Sequence, residues 1–259
     1  MRKLLLAASV VLSAAAGCSP WGKTAKPIPT PTEFQCGENG AVQAVKVDSE
    51  TELSVYLPPC YDAGAEQLYP VIYLFPGYGG SSTSFFGSFA ERVADESIHH
   101  GEIPPFMIVA MDDLFPDLDA LVVTDKILPY VEEHFRARAE RRYRAAAGGS
   151  YGGAVAYHLA FKRWDLFSSA GIFGNGAAAG EEESIRAWLA AIPVEEKPRV
   201  FINVGESDTY MLERAKALLP LLDEAGIAHA EIFSPGGHSG DYWVGNFPAY
   251  FRWLASEWR

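Results

Sequence analysis

The sequence predicts an α/β fold: a mostly parallel central sheet with helices on both faces. Three observations predict it. Continuous apolar runs of strand length recur along the chain, segments of helical spacing separate them, and Gly-rich loops follow several strand ends. No Pro/Gly/Ser linker and no internal repeat interrupts residues 40–259, which therefore read as one domain.

The elements follow in order. AVQAVKVD (41–48) and TELSVYL (51–57) alternate in period two, like an antiparallel pair with one wet face. PVIYLF (70–75) and FMIVAM (106–111) are continuous apolar runs, as expected of strands buried on both faces. Residues 83–100 carry Phe85, Phe86, Phe89, Val93 and Ile98 near helical spacing, and 119–135 read as a second helix. Tyr143 to Ala147 is a short strand, followed by a Gly-rich turn and a helix to about Phe161. SSAGIF (168–173), VFINV (200–204) and HAEIFS (229–234) are further strands. Helices are expected over 181–191, 211–224 and 247–258.

The N-terminus reads as an address. Residues 1–18 carry Arg2 and Lys3, then an apolar run from Leu4 to Ala16, then Ala15, Ala16 and Gly17 before Cys18. This resembles a bacterial lipobox, with Cys18 the lipidated residue, although the position three before it holds Ala15 rather than Leu. An ordinary signal peptide is the alternative. Residues 19–40 are a tether, with Pro20, Pro27, Pro29 and Pro31 favouring extended chain. The expected location is the cell envelope, with membrane contact only through a lipid anchor, or else secretion. GCSPWGKT (17–24) matches a P-loop letter for letter, but no strand precedes it and no helix follows, so it is rejected.

Composition excludes other classes. Hydrophobic residues make up 49% of the 259, which rules out wholesale disorder. A net charge of -12 argues against nucleic-acid binding. With Cys18 lipidated, Cys36 and Cys60 remain, and in an oxidising compartment they are candidates for a disulfide; two free thiols are the alternative. No two His share ligand spacing with a carboxylate, so no metal is expected, and the serine chemistry read below requires no cofactor.

Three strand ends carry chemistry. Gly148-Gly149-Ser150-Tyr151-Gly152 satisfies G-x-S-x-G between a strand and a helix, the turn that presents a serine nucleophile. Gly205-Glu206-Ser207-Asp208 follows another strand. Asp208 is the preferred acid, Glu206 competes with it, and a helix N-cap is the plain reading of either. Gly236-Gly237-His238-Ser239-Gly240 follows a third, where core packing explains a His poorly; His158, mid-helix, reads as structural. The chain order Ser150, Asp208, His238 is that of α/β-hydrolases. The oxyanion donors would be the amides of Tyr151 and of Tyr78, in the loop Phe75-Pro76-Gly77-Tyr78-Gly79-Gly80.

The stretches YPVIYLFPGYGG, DKILPYVEEHFRARAERRYRAAAGGSYGGAVAYHLAFKRWDLFSSAGIFGNG, VFINVGESDTY and SPGGHSGDYW span roughly residues 50–255. On these the chain resembles the esterase family that includes enterochelin, feruloyl and acetylxylan esterases, S-formylglutathione hydrolase and mycolyltransferases. The resemblance implies an α/β-hydrolase fold and a serine esterase or acyltransferase with Ser150 as nucleophile, Asp208 as acid and His238 as base. Two positions depart from many members: Pro76 stands where they have His, and Tyr151 where they have Met, Leu or Phe. Tyr78, Phe85, Phe86, Tyr151, Tyr210, Tyr242 and Trp243 are candidate substrate contacts, with helix core the alternative for Phe85 and Phe86. The acidic loop 112–117 either contacts substrate or is merely solvated. The expected substrate is an extracytoplasmic ester: a feruloylated or acetylated polysaccharide, or a siderophore lactone. Acyl transfer to a sugar or lipid acceptor, and a non-catalytic binding protein on the same fold, are the alternatives.

Overall fold

The computed structural model describes residues 36–61 and 66–258. The signal peptide, Cys18, the P-loop-like string and most of the tether lie outside the described residues.

Eight strands form one sheet: β1 Ala41–Lys46, β2 Glu52–Leu57, β3 Val71–Phe75, β4 Met107–Met111, β5 Arg144–Gly149, β6 Ser169–Phe173, β7 Arg199–Gly205 and β8 His229–Ser234. Their order is β1-β2-β4-β3-β5-β6-β7-β8. β1 pairs antiparallel with β2, β2 antiparallel with β4, and the rest pair in parallel. The helices are α1 Ala90–His99, α2 Leu128–His134, α3 Tyr151–Lys162, α4 Glu182–Ala190, α5 Thr209–Ala225, α6 Gly240–Gly245 and α7 Phe247–Ala255.

Strand alternation sends each core to one face. Val71, Tyr73, Phe75, Ala146, Ile172 and Ile202 pack with residues of α2, α3, α4 and α5. Ile72, Leu74, Ala145, Ala147, Phe173 and Phe201 pack with residues of α1, α6 and α7. The core strands are therefore buried on both faces, and all parallel strands deliver their C-terminal ends to one edge, where sites form in such sheets.

Four details depart from the reading of the sequence. β2 has no wet face: Ser54 and Tyr56 are buried, Ser54 Oγ donating to Ser82 Oγ at 3.1 Å and Tyr56 Oη to Asp95 Oδ1 of α1 at 2.7 Å. The helix expected over 83–100 breaks at Phe89, which sits at φ 65°, and only Ala90–His99 is regular. The segment 119–135 begins with a wide turn over Val123–Ile127, in which Leu128 N–H donates to Val123 C=O, before α2 takes over. Pro129, in the first turn of α2, has no N–H to continue a tighter ladder. The short α6 is the fourth, absent from the sequence reading. A disulfide joins Cys36 to Cys60, with Cα atoms 6.0 Å apart.

Candidate active site

Ser150 occupies the turn from β5 into α3 with φ 53° and ψ -122°, a conformation a non-glycine residue adopts only under restraint. The restraints are visible. Ser150 N–H donates to Phe173 C=O at 2.8 Å, and Gly153 N–H donates to Ser150 C=O at 2.9 Å. Asn175, 3% exposed, donates from Nδ2 to the same carbonyl at 2.5 Å. Its Oδ1 accepts from Gly176 N–H at 2.6 Å. Close approach demands Gly152: a Cβ there would lie 2.1 Å from the Phe75 carbonyl oxygen.

The loop after β3 reaches the same point. A Cβ placed on Gly77 would come within 3.2 Å of Ser150 Cβ, so the Tyr78 and Tyr151 amides belong to segments that meet at Ser150. Tyr151 opens α3, where first-turn amides have no helical acceptor. The loop is pinned from below by the acidic segment after β4. Gly79 N–H donates to Asp113 Oδ2 at 2.7 Å and Ser82 N–H to Asp112 Oδ1 at 2.8 Å. Asp113 N–H returns a bond to Gly80 C=O at 3.1 Å. Asp112 and Asp113 are thus framework for this loop, a role the sequence reading missed. Burial, then the carboxylates of Asp113 and Asp117, raise the Tyr151 phenol.

Asp208 and His238 meet across the ends of β7 and β8. His238 Nδ1 lies 2.5 Å from Asp208 Oδ2. Asp208 sits at the start of α5, but its side chain makes no capping bond there; its contact is with His238. Glu206 is exposed. The His238 ring stands edge-on to Trp243 with centroids 5.0 Å apart. Trp243 in turn packs on the Ser150 turn: a Cβ on Gly149 would come within 2.5 Å of its ring. One buried indole therefore bridges the Ser150 turn and the His238 loop.

Several expected substrate contacts lie elsewhere. Phe85 is 4% exposed and stacks on Phe247 at 5.8 Å, so it is core. Phe86 packs partly buried against the same cluster. Trp243 is 7% exposed and acts as the brace just described. Tyr242 anchors the His238 loop: its hydroxyl bonds Ser234 Oγ at 2.8 Å and accepts from Asn203 Nδ2 at 3.2 Å. Tyr210 and Tyr78 do stand in solvent. His158 is buried, its Nε2 2.6 Å from Glu181 Oε1, while Tyr157 Oη donates to Glu181 Oε2 at 2.6 Å. Burial alone would raise the Glu181 carboxyl; hydrogen bonds from His158, Tyr157 and Ala178 N–H outweigh it and hold the group at about 2. This knot fixes the loop that carries Asn175. Among the described residues, no three His, Cys, Asp or Glu side chains cluster as a metal site.

A family model described as "Putative esterase" matches residues 44–114 and 116–254. An endo-1,4-beta-xylanase/feruloyl esterase of Xylanibacter ruminicola is 29% identical over 165 residues, covering 56% of this chain and 23% of that protein. This chain thus spans about a quarter of that relative's length. The feruloyl esterase module from Clostridium thermocellum, an S954A mutant complexed with sinapinate, superposes with TM-score 0.71 at 19% identity, over 90% of this chain and 94% of the other. A ferulic acid esterase from Anaeromyces mucronatus in complex with ferulic acid gives TM-score 0.70 at 18% identity, over 89% and 96%. At these identities the two structures establish the α/β-hydrolase fold.

Proposed function

We propose that this chain, which belongs to the esterase family and is a carboxylic ester hydrolase, cleaves its substrate through an acyl-enzyme on Ser150. The observation that carries the mechanism is the Asp208–His238 bond, linked to the restrained Ser150 turn through the Trp243 indole. With Nδ1 held by Asp208, Nε2 is the ring nitrogen left to take the Ser150 proton. Ser150 Oγ attacks the ester carbonyl, and the amides of Tyr78 and Tyr151 stabilise the oxyanion. One such donor is worth about 2.7–4 kcal/mol. The imidazolium returns the proton to the leaving alkoxide. Water, deprotonated by His238, then hydrolyses the acyl-enzyme and frees Ser150.

The substrate in this proposal is an extracytoplasmic ester of a phenolic or acetic acid on a saccharide. The xylanase-linked relative and the fold neighbours named for ferulic acid support it. So does the Cys36–Cys60 bridge, which belongs to an oxidising compartment. β1 runs parallel to β4 and begins at the sheet edge opposite Ser150.

Hydrolysis of short aryl esters by the full protein, beside Ser150→Ala, tests the reading. Turnover lost in Ser150→Ala is the expected result. Equal turnover in both would overturn it.

A further inference from the structure

Two large rings stand in solvent beside the Ser150 turn. Tyr78 is 73% exposed and Phe115 is 55% exposed. They meet edge-on with centroids 4.9 Å apart, and Phe115 meets Tyr151 at 5.3 Å. Exposed aromatics grouped at a site mark a binding surface more often than scattered ones do. Their loops are tied together: Asp113 accepts from Gly79 N–H with one oxygen and from Phe115 N–H with the other. The pair therefore keeps a fixed position relative to Ser150, which Gly77 approaches and Tyr151 follows.

The local charge narrows the ligand. Residues 112–119 contain Asp112, Asp113, Asp117 and Asp119 and no Lys or Arg; the ion pair described for them is Asp119 with Lys162. Such a rim repels carboxylates and phosphates, and the carboxylate lone pairs not taken by the loop's own N–H groups accept from hydroxyl groups. Aromatic faces beside acceptors suit a neutral ring with C–H groups on one side and O–H groups at its edge. An open ledge also admits a ring whose chain continues into solvent, whereas a small phenolic acid is best held in an enclosed slot.

On the esterase reading above, we propose that Tyr78 and Phe115 form a saccharide subsite that seats the alcohol half of the ester. Phe115 then sets specificity through binding, and Tyr78 contributes its ring to the subsite and its amide to the oxyanion. The subsite selects esters on neutral sugars over those on anionic or purely aliphatic alcohols.

Binding can be read without turnover, by saturation-transfer NMR of xylotetraose on the full-length Ser150→Ala protein. Transfer to pyranose protons is expected. Adding Phe115→Ala or Phe115→Leu should weaken the affinity about fivefold, the loss of one ring contact of ordinary strength. Phe115→Trp should restore it. Ferulate, tested alongside, should bind Ser150→Ala with and without Phe115→Ala equally. Absence of transfer, equal affinity in the Phe115 variants, or loss of ferulate rather than xylotetraose would overturn the subsite. Failure of Ser150 as nucleophile would show only in the hydrolysis assay, so the two readings fail separately. Melting temperature checks that each variant is folded.

Discussion

Replacing Asn175 with Ala removes two hydrogen bonds from the Ser150 turn. The Ser150 carbonyl keeps a partner in Gly153 N–H at 2.9 Å, but the buried Gly176 N–H loses its acceptor. An orphaned buried donor costs about 1–3 kcal/mol. For a domain of this size about 2 kcal/mol lowers the melting temperature by about 4–8 °C. The kinetic effect is separate. Ser150 sits in a conformation that costs about 1–3 kcal/mol and persists only while its neighbours hold it. Releasing one restraint displaces Oγ, and a displacement of about 1 Å costs about 100-fold. Asn175→Ala should therefore lower kcat about 10- to 100-fold on aryl esters while KM stays within about twofold. Steady-state kinetics and thermal melting on the same preparation measure both. A variant with the full loss of melting temperature but an unchanged kcat would refute the positioning role. A rise in KM alone would place Asn175 in substrate binding instead.

Other consequences follow from the same geometry. Asp208→Asn should drop kcat by about 10⁴, as expected when the imidazole loses its orienting carboxylate, while Glu206→Gln keeps wild-type turnover; the reverse pattern would move the acid to Glu206. Cys36→Ser opens a loop whose ends are 24 residues apart, and removing a crosslink of that span should cost about 3 kcal/mol, read as a lowered urea midpoint; an unchanged midpoint would count against it. Glu181 is held at about 2, below its ordinary 4.5, so its contribution to stability is full above 4.5 and is lost as pH falls through 2. The gap in melting temperature between wild type and Glu181→Gln should accordingly close on going from pH 5 toward about 2, and a gap constant with pH would contradict the assignment.

The sequence made the proposed reacting groups legible because each lies at the end of an apolar strand within a Gly-rich turn, a local pattern. Ser150, Asp208 and His238 need no knowledge of distant contacts to be noticed. What surrounds them does need it. Trp243 looks like a mouth aromatic in the string DYWVG, and only the packing of α6 under Gly149 and Gly174 shows it buried. Phe85 looked equally suited to core or pocket, and its partners Phe247 and Trp243 lie far along the chain. Asp112 and Asp113 act across 30 or more residues on the loop after β3. Asn175 had a faint signal, a polar residue between two glycines just after a buried strand. Its partner, the Ser150 carbonyl, becomes evident only when β5 and β6 are seen to be neighbours.

The identity of the nucleophile is the claim on which the rest depends. A fluorophosphonate reacts with an activated serine and leaves a covalent adduct that peptide mass spectrometry can locate. A single adduct is expected on the tryptic peptide AAAGGSYGGAVAYHLAFK, at Ser150, lost in Ser150→Ala and slowed in Asp208→Asn. An adduct on another serine, or labelling that survives in Ser150→Ala, would contradict it.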